Sequence, residues 1–183
     1  MMNFEELDEK TREYMLKEFQ AEESSGKPYR SKRLISKGLE VFPKLMDKAI
    51  KEGNEVTLAK DLNDPSYWKP SEESHSSKGT SFPRSIDPLV ASETLALSEF
   101  STWYTRGLSK KLLDEGVEYC EVYRADMAEE PRCECTKWEG LKIDVQKAYD
   151  GHRKRYHHME IDRKAFSIPS GTNCHHSIRR VKD

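Results

Sequence analysis

The feature that most constrains the fold is the stretch between Asp87 and Gly116, because both of its ends carry helix-boundary signals. Asp87 can cap a helix that begins with Pro88, and Gly116 suits the left-handed position that follows a helix C-terminus. The apolar residues between these ends recur at helical spacing along one broad face: Leu89, Ala96, Phe100, Trp103, Tyr104, Leu108 and Leu112. The stretch therefore predicts a long central helix whose apolar face forms the core.

A glycine interrupts this helix near its C-terminal end. In a helix interior, glycine costs about 1 kcal/mol relative to alanine. The simplest explanation for Gly107 is that another backbone approaches the helix closely at this point. We expect the strand that follows the helix to supply that backbone.

The region before this helix, residues 1–62, predicts a helical N-terminal segment. At its beginning, Asn3 and Glu6 have the spacing of a capping box, which predicts a first helix there. A second helix ends before Gly53, and Asn54 can cap a short third helix. These helices form an N-terminal arm.

Residues 63–86 contain prolines among serine, glutamate and glycine residues. Such a composition predicts a long polar loop without regular structure. We expect the aromatic side chains of Tyr67, Trp68 and Phe82 to anchor the loop to the rest of the protein.

The remainder of the chain, residues 87–183, predicts an α+β core. Residues 117–125 alternate as a strand does, a second strand is expected in "TKWEGLKI", and Asp144 can cap a further helix. The segments 165–168 and 174–181 flank turn residues and predict a terminal hairpin. The fold class is thus α+β, with a helical arm, a long central helix and a small mixed C-terminal sheet ending in that hairpin.

Charge is distributed unevenly along the chain. Residues 1–131 contain 19 Lys and Arg against 26 Asp and Glu, whereas residues 132–183 contain 12 against 7. A basic C-terminal third can bind phosphate, an acidic partner protein, or the acidic part of its own chain. Hydrophobic residues make up only 35% of the sequence, so we also expect some apolar surface to be buried against a partner.

A metal site is one hypothesis for the cysteines and histidines. On a strand, Cys174 and His176 point the same way while His175 points the other way, and Cys133 and Cys135 could add two thiolates. Thiolate and imidazole are the ligands that tetrahedral zinc prefers. The spacing is not that of a zinc finger or ribbon, however, so small buried cysteines and surface histidines are the favoured interpretation.

Nucleic-acid binding is a second hypothesis. The most basic short run of the chain contains Arg153, Lys154, Arg155 and the aromatic Tyr156. A terminal hairpin would bring a second basic pair towards this run, namely Arg179 and Arg180. Such a strip could contact phosphates and stack on a base, although the same cations would suit the solvated C-terminal end of a helix or an acidic protein partner.

The central stretch resembles an uncharacterised group of bacterial and phage-associated proteins that share an "EFxxxYxRGL…G…EVYRA" pattern. The residues that carry the resemblance are Glu99, Phe100, Trp103 or Tyr104, Arg106, Gly107, Leu108, Gly116 and Val122 to Ala125. It covers about a third of the chain. The resemblance implies a prophage or virion context and supplies no catalytic residues.

Two strand segments also resemble those of ADP-ribosyltransferases, with Arg124 and Ser167 as the counterparts of residues that hold the nicotinamide nucleotide. That family has a catalytic glutamate after these two strands. The present sequence offers no candidate for it, because the chain closes with "RRVKD".

These observations favour a non-catalytic structural or interaction component of a larger assembly such as a phage particle, with other protein subunits as partners. The alternatives are a nucleic-acid-binding accessory protein, or an ADP-ribosyltransferase-like or zinc-dependent enzyme. No cofactor is expected unless the cysteines and histidines bind zinc. The first residues lack the basic and apolar regions of a secretory signal, and no apolar run is long enough to span a membrane. The expected location is therefore the cytoplasm, or the virion if the protein is phage-encoded.

Overall fold

The structure is a computed structural model that describes residues 1–76, 79–126, 137–156, 162 and 164–182. It is α+β, as the sequence predicts, with helices first and a three-stranded sheet towards the C-terminus. The helices are α1 (Glu9–Ser24), α2 (Ser36–Glu52), α3 (Glu55–Leu62), α4 (Pro88–Asp114) and α5 (Val145–Tyr156), with a short 3-10 helix at Pro65–Tyr67. The strands are β1 (Ser71–His75), β2 (Ser81–Ser85), β3 (Tyr119–Arg124), β4 (Lys142–Asp144) and β5 (His176–Arg180).

The long central helix α4 is confirmed together with both of its predicted boundaries. Asp87 Oδ1 accepts a hydrogen bond from the Leu89 N–H at 2.9 Å, and Gly116 adopts a φ of 74°. Six of the seven residues predicted for its apolar face are almost fully buried, namely Ala96, Phe100, Trp103, Tyr104, Leu108 and Leu112, whereas Leu89 in the first turn is 50% exposed. Within the described residues, no helix combines the length and apolar character needed to cross a membrane.

The predicted capping box at Asn3 and Glu6 is not formed, because α1 begins later, after Asp8. The Asn3 backbone bonds instead to residues at the end of β3. Its N–H donates to the Ala125 carbonyl at 2.7 Å, and its carbonyl accepts from the Tyr123 hydroxyl at 2.6 Å. Hydrogen bonds to residues that are distant in the sequence thus take the place of the predicted helix cap.

The close backbone approach predicted at Gly107 is present, but the neighbour is α1 rather than the following strand. A Cβ at Gly107 would lie 2.6 Å from the backbone nitrogen of Met15. Helix α1 therefore packs directly on the central helix, and the side chains of both contribute to one hydrophobic core.

The prediction that residues 63–86 form a loop without regular structure is wrong. The segment contains the 3-10 helix and an antiparallel hairpin in which Ser71 pairs with Ser85. Both strands are edge strands, so Pro83 is tolerated despite its missing N–H. Of the expected anchors, Trp68 is buried and its Nε1–H donates to the Leu62 carbonyl at 2.9 Å, whereas Phe82 remains exposed.

The C-terminal sheet has the order β4-β3-β5 and is antiparallel throughout, not mixed. The predicted terminal hairpin is also absent, since β5 pairs with β3 and residues 165–168 form no strand. That segment instead lies against α5, where a Cβ on Gly151 would overlap the Phe166 carbonyl oxygen. The backbone of this segment therefore packs against α5 instead of pairing with β5.

Candidate active site

A cysteine and a histidine lie side by side where the chain enters β5. Cys174 follows a turn in which Asn173 adopts a left-handed φ of 59°, and His176 is the first residue of the strand. The Cys174 Sγ lies 4.0 Å from the His176 Nδ1, within hydrogen-bonding reach for sulfur. Both residues are buried: Cys174 is 7% exposed and His176 is 2% exposed. The predicted same-side placement of these two residues is therefore confirmed.

The other ring nitrogen of His176 faces a carboxylate. His176 Nε2 lies 3.4 Å from Oε1 of Glu139, which belongs to the turn before β4. Arg124 Nε donates to the same oxygen at 2.8 Å. Arg124 stands directly opposite His176 in the β3–β5 ladder, so the central strand β3 brings all these groups together.

Hydrogen-bond donors surround the Cys174 sulfur. The Ser170 hydroxyl donates to Sγ at 3.5 Å. Burial opposes ionisation of the thiol, but the His176 imidazole and hydrogen bonds from the Ser170 backbone and side chain outweigh it and lower the pKa of Cys174 to about 7. A substantial fraction of this sulfur is therefore thiolate at neutral pH.

The pKa values of His176 and Glu139 shift so that both side chains favour their charged forms. The hydrogen bond to Cys174 raises the pKa of His176 despite the opposing effect of burial, and Glu139 adds to the rise. The Arg124 guanidinium lowers the pKa of Glu139, so this carboxylate stays ionised. The arrangement thus favours a thiolate and an imidazolium, with a fixed carboxylate on the far side of the ring.

The second described cysteine provides a contrast. Cys120 lies in β3 within the hydrophobic core, and burial raises the pKa of its thiol to about 12. Its sulfur therefore stays protonated and unreactive, as expected for a thiol in the middle of a strand.

The predicted zinc ligands are only partly placed. Cys174 and His176 lie together, whereas Cys133 and Cys135 lie outside the described residues. Within the part of the chain that the structure describes, no three Cys, His, Asp or Glu side chains are placed so that they could hold one metal ion.

The basic residues proposed for nucleic-acid contact have separate environments. The Arg153 side chain is 10% exposed, and its guanidinium bonds to Glu22 and Glu99. Arg179, in β5, pairs with Glu5 and Glu121. Both arginines thus pair with carboxylates from the acidic part of the same chain.

Three of the other basic residues of the predicted strip also bond to groups of the same chain. Lys154 pairs with Asp150 one helical turn earlier, and Arg180 pairs with Glu115. Arg155 donates to the Ala165 carbonyl at 3.4 Å. Tyr156 is the last residue of α5, and its side chain lies outside what the structure describes.

The counterparts suggested by the ADP-ribosyltransferase resemblance have other bonds. Arg124 holds Glu139, as described above, and the Ser167 hydroxyl donates to the Pro169 carbonyl at 2.6 Å. Arg124 therefore belongs to the candidate site through its contact with a carboxylate.

Sequence reasoning missed Glu139 and Ser170 as members of the site. The period-2 alternation around Cys174 and His176 placed those two side chains together, but no local signal marks Glu139, which is 35 residues away from Cys174 in the sequence. The pairing of β3 with β4 on one side and with β5 on the other brings Glu139 to the histidine.

Comparison of this chain with protein-family models, with curated proteins and with solved structures finds no match.

Proposed function

We propose that the protein is a thiol-dependent enzyme in which Cys174 is the nucleophile and His176 is its acid–base partner. The observation that carries the proposal is the alignment of Cys174 Sγ, the two ring nitrogens of His176 and the Glu139 carboxylate. A cysteine, a histidine and a third group that orients the histidine form the arrangement used in nucleophilic catalysis.

The reaction class that fits this arrangement is acyl transfer or hydrolysis. The Cys174 thiolate would attack a carbonyl carbon, and the protonated His176 would give its proton to the leaving group as the carbon–heteroatom bond breaks. The resulting thioester would then react with water or another acceptor, from which neutral His176 takes a proton, and the thiolate would be released. Glu139 is a positioning residue that orients the ring and stabilises its charged form.

The first prediction concerns the alkylation of Cys174 by a small electrophile such as iodoacetamide. We expect the rate at Cys174 to rise with pH around a midpoint of about 7, because the thiolate is the reactive form. Replacing His176→Gln should move the midpoint upwards and lower the rate at neutral pH by roughly tenfold. Mass spectrometry of the tryptic peptide 165–179, which contains Cys174 as its only cysteine, gives the rate for this residue alone.

Cys120 serves as the internal control and should remain unmodified in the folded protein. Glu139→Gln should shift the midpoint in the same direction as His176→Gln but by less, since it acts through the ring. A midpoint near the ordinary thiol value of about 8.5 in the wild-type protein would contradict the proposal.

Turnover and metal content separate the two roles that Cys174 could have. For the enzyme, activated esters or thioesters should be hydrolysed by the wild-type protein and not by Cys174→Ser. One equivalent of tightly bound zinc, with alkylation of Cys174 only after chelation, would instead identify the residue as a metal ligand.

The role expected from the sequence, a non-catalytic component of a larger assembly, remains a prediction. One of its arguments is weakened, because Arg153, Arg179 and Arg180 pair with carboxylates of the same chain rather than being left for a partner. Light scattering of the purified protein is the measurement that tests it. An assembly component should form oligomers or bind a partner subunit, and a monodisperse monomer that binds none would argue against this role.

A further inference from the structure

A second site lies in a cavity that shares no lining residue with the group around Cys174. The cavity has a volume of about 530 Å³ and lies between α3, the first turns of α4, the N-terminal residues and Asp126. Its walls are largely apolar, with contributions from Met2, Val56, Ala59, Leu89 and Leu97. The size is within the usual range for small-molecule sites.

A buried carboxylate with an unsatisfied oxygen lines this cavity. Glu55 is 5% exposed, and its Oε1 accepts a hydrogen bond from the Met2 N–H at 2.7 Å. Its Oε2 is buried and has no hydrogen-bond partner among the residues that the structure describes. Burial raises the pKa of Glu55 because it disfavours the ionised form, and a ligand that donates to Oε2 or brings a positive charge would stabilise that form.

The charges around the cavity favour a cationic donor. Three carboxyl groups line it, those of Glu55, Glu93 and Asp126, against the Lys60 side chain and the amino group of Met1. The Met1 amino group forms its ion pair with Asp126 at 2.8 Å, and its charge only partly offsets the effect of burial that raises the pKa of Glu55. No ion pair of Glu93 or Lys60 is found among the described residues, and Glu55 is the only one of the three carboxyl groups that is buried.

We infer that this cavity binds a small organic cation, an ammonium group attached to an aliphatic or aromatic body. The ammonium would donate to Glu55 Oε2, and the apolar body would lie against Leu89 and Leu97. An ammonium group supplies three donors and a positive charge, which match a desolvated carboxylate better than a neutral hydroxyl does. The apolar walls give affinity for the body of the same ligand.

The probe for this site is hexylamine, compared with hexanol and hexanoate of the same chain length, in calorimetric titrations of the whole protein at neutral pH. We expect hexylamine to bind at least roughly tenfold more tightly than hexanol, as a charge-assisted hydrogen bond would give. Hexanoate should bind most weakly. Equal affinity for hexylamine and hexanol would overturn the inference.

Two variants test the roles of charge and space separately. Glu55→Gln keeps an acceptor for the Met2 N–H, and it should abolish the preference for hexylamine over hexanol without weakening hexanol. Ala59→Leu fills part of the cavity and should weaken both ligands, which also tests the location if the first variant fails to fold. A preference for hexylamine that persists in Glu55→Gln, or binding unaffected by Ala59→Leu, would overturn the assignment.

Further controls keep this test independent of the proposed enzyme. Glu72→Gln removes a carboxylate from a different cavity and should leave hexylamine binding unchanged. Cys174→Ser should also bind hexylamine normally, so loss of thiol reactivity and loss of cation binding are distinguishable results.

Discussion

Replacing Arg153 with alanine is expected to lower the free energy of unfolding by about 3–5 kcal/mol, the usual cost of breaking a buried ion pair. The Arg153 side chain is only 10% exposed. Its Nε donates to Glu22 Oε2 at 2.9 Å, and one of its terminal nitrogens lies 3.4 Å from Glu99 Oε2. Removing the guanidinium would leave two carboxylates buried without their cation.

The surroundings of Arg153 strengthen this expectation. The guanidinium lies 4.9 Å from the ring centre of Trp103 and 5.4 Å from that of Tyr29, so it also packs between two aromatic rings. Burial alone would lower the pKa of Arg153, but the carboxylates of Glu99 and Glu22 outweigh this effect and raise it. Burial raises the pKa of Glu99, and Arg153 offsets that rise only in part.

The neighbouring residue offers a matched control. Lys154 is 60% exposed, and its ion pair among the described residues is with the part-exposed Asp150, so Lys154→Ala should change stability by no more than about 0.5 kcal/mol. Denaturant unfolding of both variants measures the difference. In a double-mutant cycle, Arg153→Ala together with Glu99→Ala should cost less than the sum of the two single changes, because each removes the other's partner.

The same experiment bears on the nucleic-acid hypothesis. Wild-type stability together with a loss of DNA affinity at low salt in Arg153→Ala would identify the arginine as a phosphate contact. Such a result would contradict the ion pairs with Glu22 and Glu99. Unfolding at lower denaturant concentration with no DNA binding in either protein would identify it as a structural residue.

The parts of the fold that the sequence predicted are those with local determinants. Helix α4 was correctly bounded because Asp87, Pro88 and Gly116 act through hydrogen bonds and dihedral angles within a few residues. The hairpin in residues 63–86 was missed because its strands carry polar side chains and a proline, and neither strand has a buried face to produce alternation.

The predictions that were wrong or incomplete concern features that depend on tertiary packing. The basic run at Arg153 resembles a solvated helix end, yet α5 packs on α4 and turns this one cation towards Glu99. The sequence also placed Cys174 and His176 on one side of a strand, whereas the contact with Glu139 required knowledge of the strand order. The distribution of charge along the sequence does not distinguish arginines that form ion pairs within the chain from arginines on a binding surface.

Residues of the central motif have structural roles in this molecule. Glu99 bonds to Arg153, while Phe100 and Trp103 fill the core. Arg106 pairs with Glu18 of α1 at 2.6 Å. These contacts join the N-terminal arm, the central helix and α5, so packing explains these residues of the motif. Arg124, which belongs to the same motif, contacts Glu139 in the candidate site instead.

Gly107 also belongs to this motif, and Gly107→Ala is the second substitution for which we expect a large change in stability. Helix propensity alone predicts that alanine would stabilise α4 by about 1 kcal/mol. The added Cβ would lie 2.6 Å from both the Met15 backbone nitrogen and Cγ, and 2.8 Å from its Cα. Because α1 would have to shift away, we expect a net loss of about 3 kcal/mol, at the upper end for overpacked sites.

The sign of the change distinguishes packing from propensity, and a second variant locates the clash. Thermal unfolding of Gly107→Ala should show a lower midpoint than that of the wild-type protein, and a higher midpoint would mean that α1 does not approach as closely as described. Met15 is fully buried, so Met15→Ala is destabilising by itself and serves as the reference for the double variant. If only the flexible Met15 side chain were in the way, Gly107→Ala would cost little stability in the Met15→Ala protein. Since the Met15 backbone is equally near, Gly107→Ala should remain destabilising there, because truncating the side chain cannot move the helix that carries it.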